Sequence, residues 1–258
     1  MRYRDELLVA LVAVLLAATT PASGQALAAD AAAKKTLTDA ANALGMVRGV
    51  ERSLTIVHMF EYTAHGTMAD PIGGAQSTVS RITAGYDYVI PAARVDVEKT
   101  APDGRSQRDI EVAAGPLAWD ESTPGIYLRP AATSAAERLR QIWLLPHGVI
   151  LAGAKASGKV KVVDTSGRKE LSVALQDGTE VKGVLDARNL MTRVEMKIGG
   201  QVFSADYADY KDFQDYGVMF PSRIVQMVDG RAVANLTVTQ ALANPYLIFP
   251  PPKEVVQR

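Results

Sequence analysis

The chain has 258 residues, 28 basic against 28 acidic side chains, no net formal charge and 48% hydrophobic residues. The balanced charge argues against a nucleic-acid-binding protein and against one attracted to an anionic membrane surface. Because the chain contains no cysteine, disulfides, a thiolate nucleophile and the cysteine that carries lipid in bacterial lipoproteins are excluded. The apolar content is typical of a globular protein rather than a disordered one.

Residues 1–28 are predicted to be a signal peptide. Arg2 and Arg4 give a short basic start, and residues 7–18 form an apolar run that is too short to span a bilayer. Small residues suitable for cleavage follow at 24–28. Export without cysteine is typical of the bacterial periplasm, so we expect a periplasmic protein with no membrane span once the signal is removed. A signal anchor is the alternative.

One domain is expected over residues 29–248, followed by a proline-rich tail over 249–258. The domain opens with an alanine-rich helix at 29–44. Gly45 should end this helix, because glycine readily adopts the left-handed conformation found at helix C-termini. The helix is expected to dock on an edge or an end of a sheet, and the tail is expected to be extended.

Early strands are predicted from alternation of polar and apolar residues and from the breakers between them. They lie at 53–67, 78–84, 94–98, 108–112 and 117–120. The segment Pro102-Asp103-Gly104 is typical of a tight turn, which makes the third and fourth of these strands a hairpin.

A helical insert in two pieces follows. Residues 131–145 have helical composition, with Leu139, Ile142 and Trp143 at spacings of three and four. A proline interrupts the pattern, and residues 148–156 form a second, very apolar helical piece.

Strand patterns then return, at 159–163, 170–175 and 179–186. Residues 191–242 are predicted to form consecutive antiparallel hairpins, because strict alternation is broken by Gly199-Gly200 and Asp229-Gly230. These dipeptides tolerate the positive φ angles that tight hairpin turns require.

The order of helix, strands, helical insert and long meander predicts an α+β domain built on a single large curved antiparallel β-sheet, a half-barrel. A sheet of so many strands coils under its own twist. Its concave face must be covered by something apolar, and we expect the insert around Trp143 to be that plug.

Large or flexible apolar side chains in or beside the sheet are candidates for lining a cavity between sheet and plug, where a hydrophobic ligand could bind. The alternative is that they are ordinary core residues. The candidates are Met59, Trp119, Leu139, Trp143, Val194, Met196, Ile198 and Phe220.

No catalytic, cofactor or metal site is predicted. Residues 153–159 have the spacing of a phosphate-binding loop, but Val160 stands where that motif needs a hydroxyl, and a strand rather than a helix follows. His58, His65 and His147 lack the spacing that places two imidazoles on one metal. No G-x-S-x-G nucleophile elbow occurs.

The acidic segment 206–217 repeats an acidic residue followed by an aromatic one every three residues. A solvated corner between strands is the favoured interpretation. Calcium stays open as an alternative, since carboxylate oxygens suit this ion, although the spacing is not that of an EF-hand.

Several short motifs resemble a known superfamily, and they mark strands and turns more than chemistry. They are Ala43-Leu44-Gly45, the insert segment 140–148 (RQIWLLPHG), Tyr207-Ala208-Asp209-Tyr210, the segment 217–221 (GVMFP), Arg223-Ile224, Asp229-Gly230 and Leu236-Thr237-Val238-Thr239. Together they resemble exported bacterial proteins of the LolA/LolB-like lipoprotein-localisation half-barrel superfamily. They are most similar to its uncharacterised relatives, some of which are found ahead of metallo-β-lactamase-type hydrolase domains.

The resemblance implies a curved sheet that half-wraps a helical plug, with an apolar hollow for acyl chains. It therefore implies a non-catalytic periplasmic carrier for a lipid, an acyl chain or a lipoprotein, possessing no cofactor. The hydrolase metal motif H-x-H-x-D-H is absent, and no individual binding residue is carried over. The alternative function is a protein-interaction or scaffold module of the cell envelope, with a solid core and a cell-envelope protein as partner.

Overall fold

A computed structural model describes residues 22–69, 75–156 and 160–257, with side chains of the first helix described from residue 30 onwards. Residues 1–21, which hold most of the predicted signal peptide, and residues 157–159, at the end of the segment with phosphate-binding-loop spacing, lie outside the described residues.

The first helix, α1, spans Ala22–Ala43. Gly45 follows it with a φ of +71°, which is the left-handed conformation expected to end the helix. The predicted C-terminus is therefore confirmed. The helix begins before residue 29, since the alanine-rich composition that favours helix continues upstream.

Thirteen β-strands and three further helices complete the described chain. The strands are β1 (Met59–Ala69), β2 (Gln76–Asp87), β3 (Ala92–Thr100), β4 (Ser106–Ala114), β5 (Leu117–Thr123), β6 (Ile126–Pro130), β7 (Val160–Thr165), β8 (Arg168–Ala174), β9 (Glu180–Leu185), β10 (Met191–Ile198), β11 (Gln201–Asp212), β12 (Met219–Val228) and β13 (Arg231–Ala243). The helices are α2 (Ala135–Leu144) and α3 (Pro146–Lys155), between β6 and β7, and α4 (Lys253–Val256) near the C-terminus.

All thirteen strands form one open antiparallel sheet in the order β6-β5-β4-β3-β2-β1-β13-β12-β11-β10-β9-β8-β7. The chain enters at the centre with β1, moves outwards by hairpins to the edge strand β6, and crosses to the other edge at β7. It then returns by hairpins to β13, which pairs with β1. The helical insert is thus the crossover between the two edges.

The sheet is curved, and the insert lies on its concave face. Helix α2 contacts β3, β4 and β5 on one side of the centre and β10 and β11 on the other. In a flat sheet β4 and β11 would be about 29 Å apart, at about 4.8 Å per strand, and a helix is only about 10–12 Å wide. The sheet must therefore bend around α2, which confirms the predicted α+β half-barrel with a helical plug.

The two-piece helical insert has local causes. Ser134 and Glu137 form a capping box at the start of α2, with the Ser134 hydroxyl accepting from the Glu137 N–H and the Glu137 carboxylate accepting from the Ser134 N–H. Pro146 occupies the first position of α3, where its missing N–H costs nothing. The predicted interruption at this proline is confirmed.

Three details of the strand prediction were wrong, and the first is that β1 begins at Met59 rather than at residue 53. Strand β6 was missed because it is only five residues long and follows Gly125 closely. The acidic segment 206–217 is not wholly a corner, because β11 continues to Asp212, which pairs with Met219 of β12. The turn is confined to the residues between them, since ladder hydrogen bonds extend the strand through the polar sequence.

The C-terminal tail lies on the convex face. Phe249 and Val255 pack against a cluster of Ile110, Val112 and Trp119 that is separate from the main core. Helix α4 contacts β5. The tail is extended between β13 and α4, as expected from its prolines, whereas Lys253–Val256 form a short helix that was not predicted. The tail covers apolar side chains that the outer face would otherwise expose.

Candidate functional site

Aromatic side chains and the imidazole of His147 fill the space between the centre of the sheet and α3. Phe220 of β12 lies between Tyr62 and His147, with ring centroids 5.5 and 5.3 Å away. Phe60 of β1 lies 4.1 Å from the His147 ring. None of these four side chains is more than 2% exposed. The central interior is therefore occupied by the protein's own side chains.

Two buried tyrosines fasten the end of α2 to both halves of the sheet. The Tyr88 hydroxyl donates to the Ile142 carbonyl at 2.7 Å, and the Tyr207 hydroxyl donates to the Leu144 carbonyl. Carbonyls in the last turn of a helix lack partners within the helix, so these bonds satisfy them. Burial raises the pKa of both phenols well above the usual value, which keeps them protonated as donors.

The junction between α2 and α3 requires a glycine. A Cβ at Gly148 would lie 2.2 Å from the Ile142 carbonyl oxygen and 3.0 Å from the Tyr88 ring. The backbone of α3 thus approaches α2 more closely than any side chain at this position would permit.

His147 at the start of α3 is fully buried. Its Nε2 lies 2.9 Å from the Met219 carbonyl oxygen, to which it donates in the neutral tautomer. Its Nδ1 has no hydrogen-bond partner among the described residues. Burial disfavours the charged imidazolium and lowers the pKa of His147 to about 4.

Two arginines nearer the middle of α2 bind this helix to the sheet. Arg138, 5% exposed, donates to the Val112 carbonyl at 3.2 Å, to the Trp119 carbonyl and to a carboxylate oxygen of Asp120. On the opposite half of the sheet, the Arg140 guanidinium lies 4.2 Å above the Phe203 ring, an arrangement that favours a cation. Helix α2 is therefore tied to both halves of the sheet along its length.

Replacing Tyr88 by phenylalanine tests the fastening of the plug. We expect the Tyr88→Phe protein to lose about 1–2 kcal/mol of unfolding free energy, because the Ile142 carbonyl stays buried without its donor. The matched control is Tyr216→Phe, since Tyr216 is 63% exposed and its change should have little effect. Urea denaturation of the three proteins provides the measurement, and equal losses in both variants would contradict the interpretation.

An open space of about 550 Å³ lies beside Trp143, within the size range of small-molecule sites. Its walls are the turn between β2 and β3, the C-terminal part of α3, and the turn between β8 and β9. We call it the Trp143 hollow. The described residues that line it are Val89, Pro91, Trp143, Ala152, Lys155, Ala156, Ala174, Leu175, Gln176 and Asp177.

Sheet twist explains why these two turns meet. Followed through the antiparallel pairing, the β2–β3 turn and the β8–β9 turn lie at opposite ends of the strands. Seven steps separate β2 from β8, and at about 20–25° per step the strand direction rotates by about 140–175°. This rotation brings the turn after β2 opposite the turn after β8, and the hollow lies between these two turns.

The hollow is mainly apolar and carries two opposite charges among the described residues that line it, Lys155 and Asp177. The Lys155 ammonium donates to the Tyr88 carbonyl oxygen. The Asp177 carboxylate accepts from the Thr179 N–H at 2.9 Å, within its own turn. An apolar recess with a few fixed polar groups is the usual composition of a ligand site.

The eight residues predicted to line a cavity do not lie around one common space. Trp143 lines the Trp143 hollow. Val194, Met196 and Phe220 are buried in the main core, and Leu139 and Ile198 are partly buried against it. Met59 is partly exposed at the start of β1.

Trp119 lies away from the plug, on the convex face of β5. Its indole N–H donates to Glu121 at 3.0 Å, whereas Asp120 between them bonds to Arg138 of the insert. Successive side chains of a strand point to opposite faces, so Trp119 and Asp120 cannot both face the helices.

Residues that the sequence prediction missed form most of the hollow. Val89 and Pro91 are in a short turn, and Lys155 is at a helix end; alternation analysis gives no weight to such positions. One signal was present. The turn carries Val89 and Ile90, which are 56% and 67% exposed, and adjacent exposed apolar side chains are a feature of binding surfaces.

The acidic segment does not bring its carboxylates together. Asp206 bonds to Arg193 at 2.8 Å, and Asp212 accepts backbone N–H groups from Gln214, Tyr216 and Gly217 of the following turn. Within the described parts of the chain, no three His, Asp or Glu side chains are grouped as a metal site would require. The Asp212 carboxylate shapes the turn.

No described helix is both long enough and apolar enough to cross a bilayer. No protein-family model matches the chain, and no curated protein sequence matches it. Among solved structures, the chain is similar to the crystal structure of a LolA superfamily protein from Nitrosomonas europaea. The two are 13% identical, with a TM-score of 0.42, over 83% of this chain and 94% of the other.

Proposed function

We propose that the protein is an exported, non-catalytic periplasmic carrier that binds a lipid or another acyl-chain ligand in the Trp143 hollow. The observation that carries the proposal is the open, mainly apolar space of about 550 Å³ between the end of α3 and the turns that follow β2 and β8. The LolA/LolB-like motifs and the apolar run at residues 7–18 support the same function and compartment.

The expected affinity suits a carrier. Burial of an acyl chain contributes about 0.8 kcal/mol per methylene, so ten methylenes contribute about 8 kcal/mol before association costs. Association costs about 4 kcal/mol or more, which leaves about 4 kcal/mol and a dissociation constant on the order of 1 mM for ten methylenes, and each further methylene adds about 0.8 kcal/mol. Binding of this strength is reversible, and release requires no covalent step.

The two tryptophans allow the site to be located. They are the chain's only ones; Trp143 lines the hollow, and Trp119 is buried under the tail. In the Trp119→Phe protein, stearate brominated on its chain should quench the fluorescence of Trp143, because bromine quenches only rings that it approaches closely. In the reciprocal Trp143→Phe protein, the remaining Trp119 should keep its fluorescence. Quenching of Trp119 alone would place the ligand elsewhere, and quenching of neither would contradict the carrier function.

A protein-interaction module is the second candidate, and the open edge of the sheet favours it. No strand of the described residues pairs with the outer side of β6, and its Ile126 and Leu128 are 58% and 51% exposed. An unpaired strand edge can bind another strand. This function predicts that a cell-envelope partner binds the wild-type protein and an Ala156→Phe variant that fills the hollow, but not a Leu128→Lys variant.

A further inference from the structure

The position of Lys155 bears on the chemical class of the ligand, an inference that rests on the proposed carrier function. Lys155 is the last residue of α3, and its side chain lines the Trp143 hollow. Its ammonium group has three N–H donors, and one of them is used by the Tyr88 carbonyl. The described residues therefore leave two donors for a ligand.

No carboxylate of the described residues lies within ion-pairing distance of the Lys155 ammonium. Asp177, the acidic residue that lines the same hollow, is bonded to its own turn instead. Among the described residues, the Lys155 ammonium therefore has no negative partner, and it lies beside an apolar wall of Trp143, Ala152 and Ala156. A positive group at the margin of an apolar recess is complementary to an amphiphile with a negative head and an apolar chain.

We propose that the ligand is an amphiphile with an anionic head group, which pairs with Lys155 while its acyl chain lies along the wall that contains Trp143. The Tyr88 carbonyl fixes the direction of the Lys155 side chain, so the ammonium is oriented before the ligand arrives. Asp177 opposes additional negative charge in the hollow, which favours a head group with a single charge, such as a carboxylate.

Ligands of equal chain length that differ in head group distinguish the contribution of the head group to binding from that of the chain. Laurate, dodecanol and dodecylamine share their chain and differ in head-group charge, and dodecyl phosphate distinguishes a phosphate head from a carboxylate. Below the micellar concentrations of the charged ligands and the solubility limit of dodecanol, laurate should bind the Trp119→Phe protein about tenfold more tightly than dodecanol, as expected of one charge-assisted contact. Dodecylamine should bind more weakly than dodecanol. A preference for dodecyl phosphate over dodecanol that depends on Lys155 also supports the proposal.

Substitutions at Lys155 assign the preference to this residue. Lys155→Gln keeps a donor for Tyr88 and removes the charge, so the preference for laurate should disappear while dodecanol affinity is unchanged. Lys155→Arg should retain the preference. Lys253→Met is the matched control, because Lys253 lies in α4 on the convex side and its removal should change neither affinity. Thermal unfolding of each variant verifies that the fold is intact.

The outcomes separate this inference from the carrier function. Equal affinity for laurate and dodecanol, or a preference that survives in Lys155→Gln, would overturn the role of Lys155 and leave the carrier function standing. Failure of all four ligands to bind would overturn both.

Discussion

Replacement of Phe220 by alanine is expected to lower the unfolding free energy by about 3–5 kcal/mol. Phe220 is 2% exposed, and its ring is stacked at 11° against His147 and lies within 6.3 Å of Phe60. Removal of the ring leaves a void among side chains that are locked by sheet and helix, so the surroundings cannot collapse to fill it. Urea denaturation monitored by circular dichroism measures the change.

The control for this prediction is Tyr246→Ala, because Tyr246 is 90% exposed and its loss should change stability by less than about 0.5 kcal/mol. Binding provides a second measurement. Phe220 belongs to the filled interior and not to the Trp143 hollow, so quenching of Trp143 by brominated stearate should persist in folded Phe220→Ala protein. A loss below 1 kcal/mol would mean that the interior is not packed as described.

Acidification is expected to destabilise the protein through His147. The folded-state pKa of about 4 is below the unfolded value of about 6.5, so the unfolded chain binds the proton first as the pH falls. The stability that neutral His147 provides is complete above about pH 6.5 and is lost progressively down to about pH 4. The total loss is about 3 kcal/mol, from a difference of about 2.5 pH units.

The measurement is the unfolding free energy from pH 7.5 to 4 for the wild-type protein and for His147→Gln. Glutamine can donate to the Met219 carbonyl but does not titrate in this range, so the difference between the two curves isolates His147 from the other titrating groups. We expect the curves to converge as the pH falls. Parallel curves would contradict the assignment of the low pKa to His147.

The overall architecture was accessible from sequence where one physical signal dominated. Strict alternation in β10 and the glycine-containing breaks after β10 and β12 predicted the closing hairpins, because one face of these strands is buried and the other solvated. The interruption at Pro146 was equally clear, since proline tolerates only the first turn of a helix. Each of these signals determines the structure of one hairpin or one helix end, so it can be recognised without knowledge of the rest of the fold.

The site was less predictable because it depends on contacts between distant segments. Trp119 was assigned to the cavity as a large apolar residue, but only strand parity and the Asp120–Arg138 pair show which face it occupies. The Trp143 hollow joins a turn after β2 to a turn after β8. That proximity follows from twist accumulated over many strands, which no local pattern encodes.

The pairing of β1 with β13 has a consequence for how the molecule assembles. Each flank of the sheet is a succession of hairpins that close between neighbours in sequence, whereas its middle joins Phe60 to Ala243, which are 183 residues apart in the sequence (243 − 60). Contacts between residues so distant along the chain form slowly, because the entropy of closing a long loop is lost before the contacts compensate for it. The pairing of β1 with β13 at the centre of the sheet therefore cannot form until β13 has been synthesised. Until it forms, the aromatic interior stays exposed to solvent.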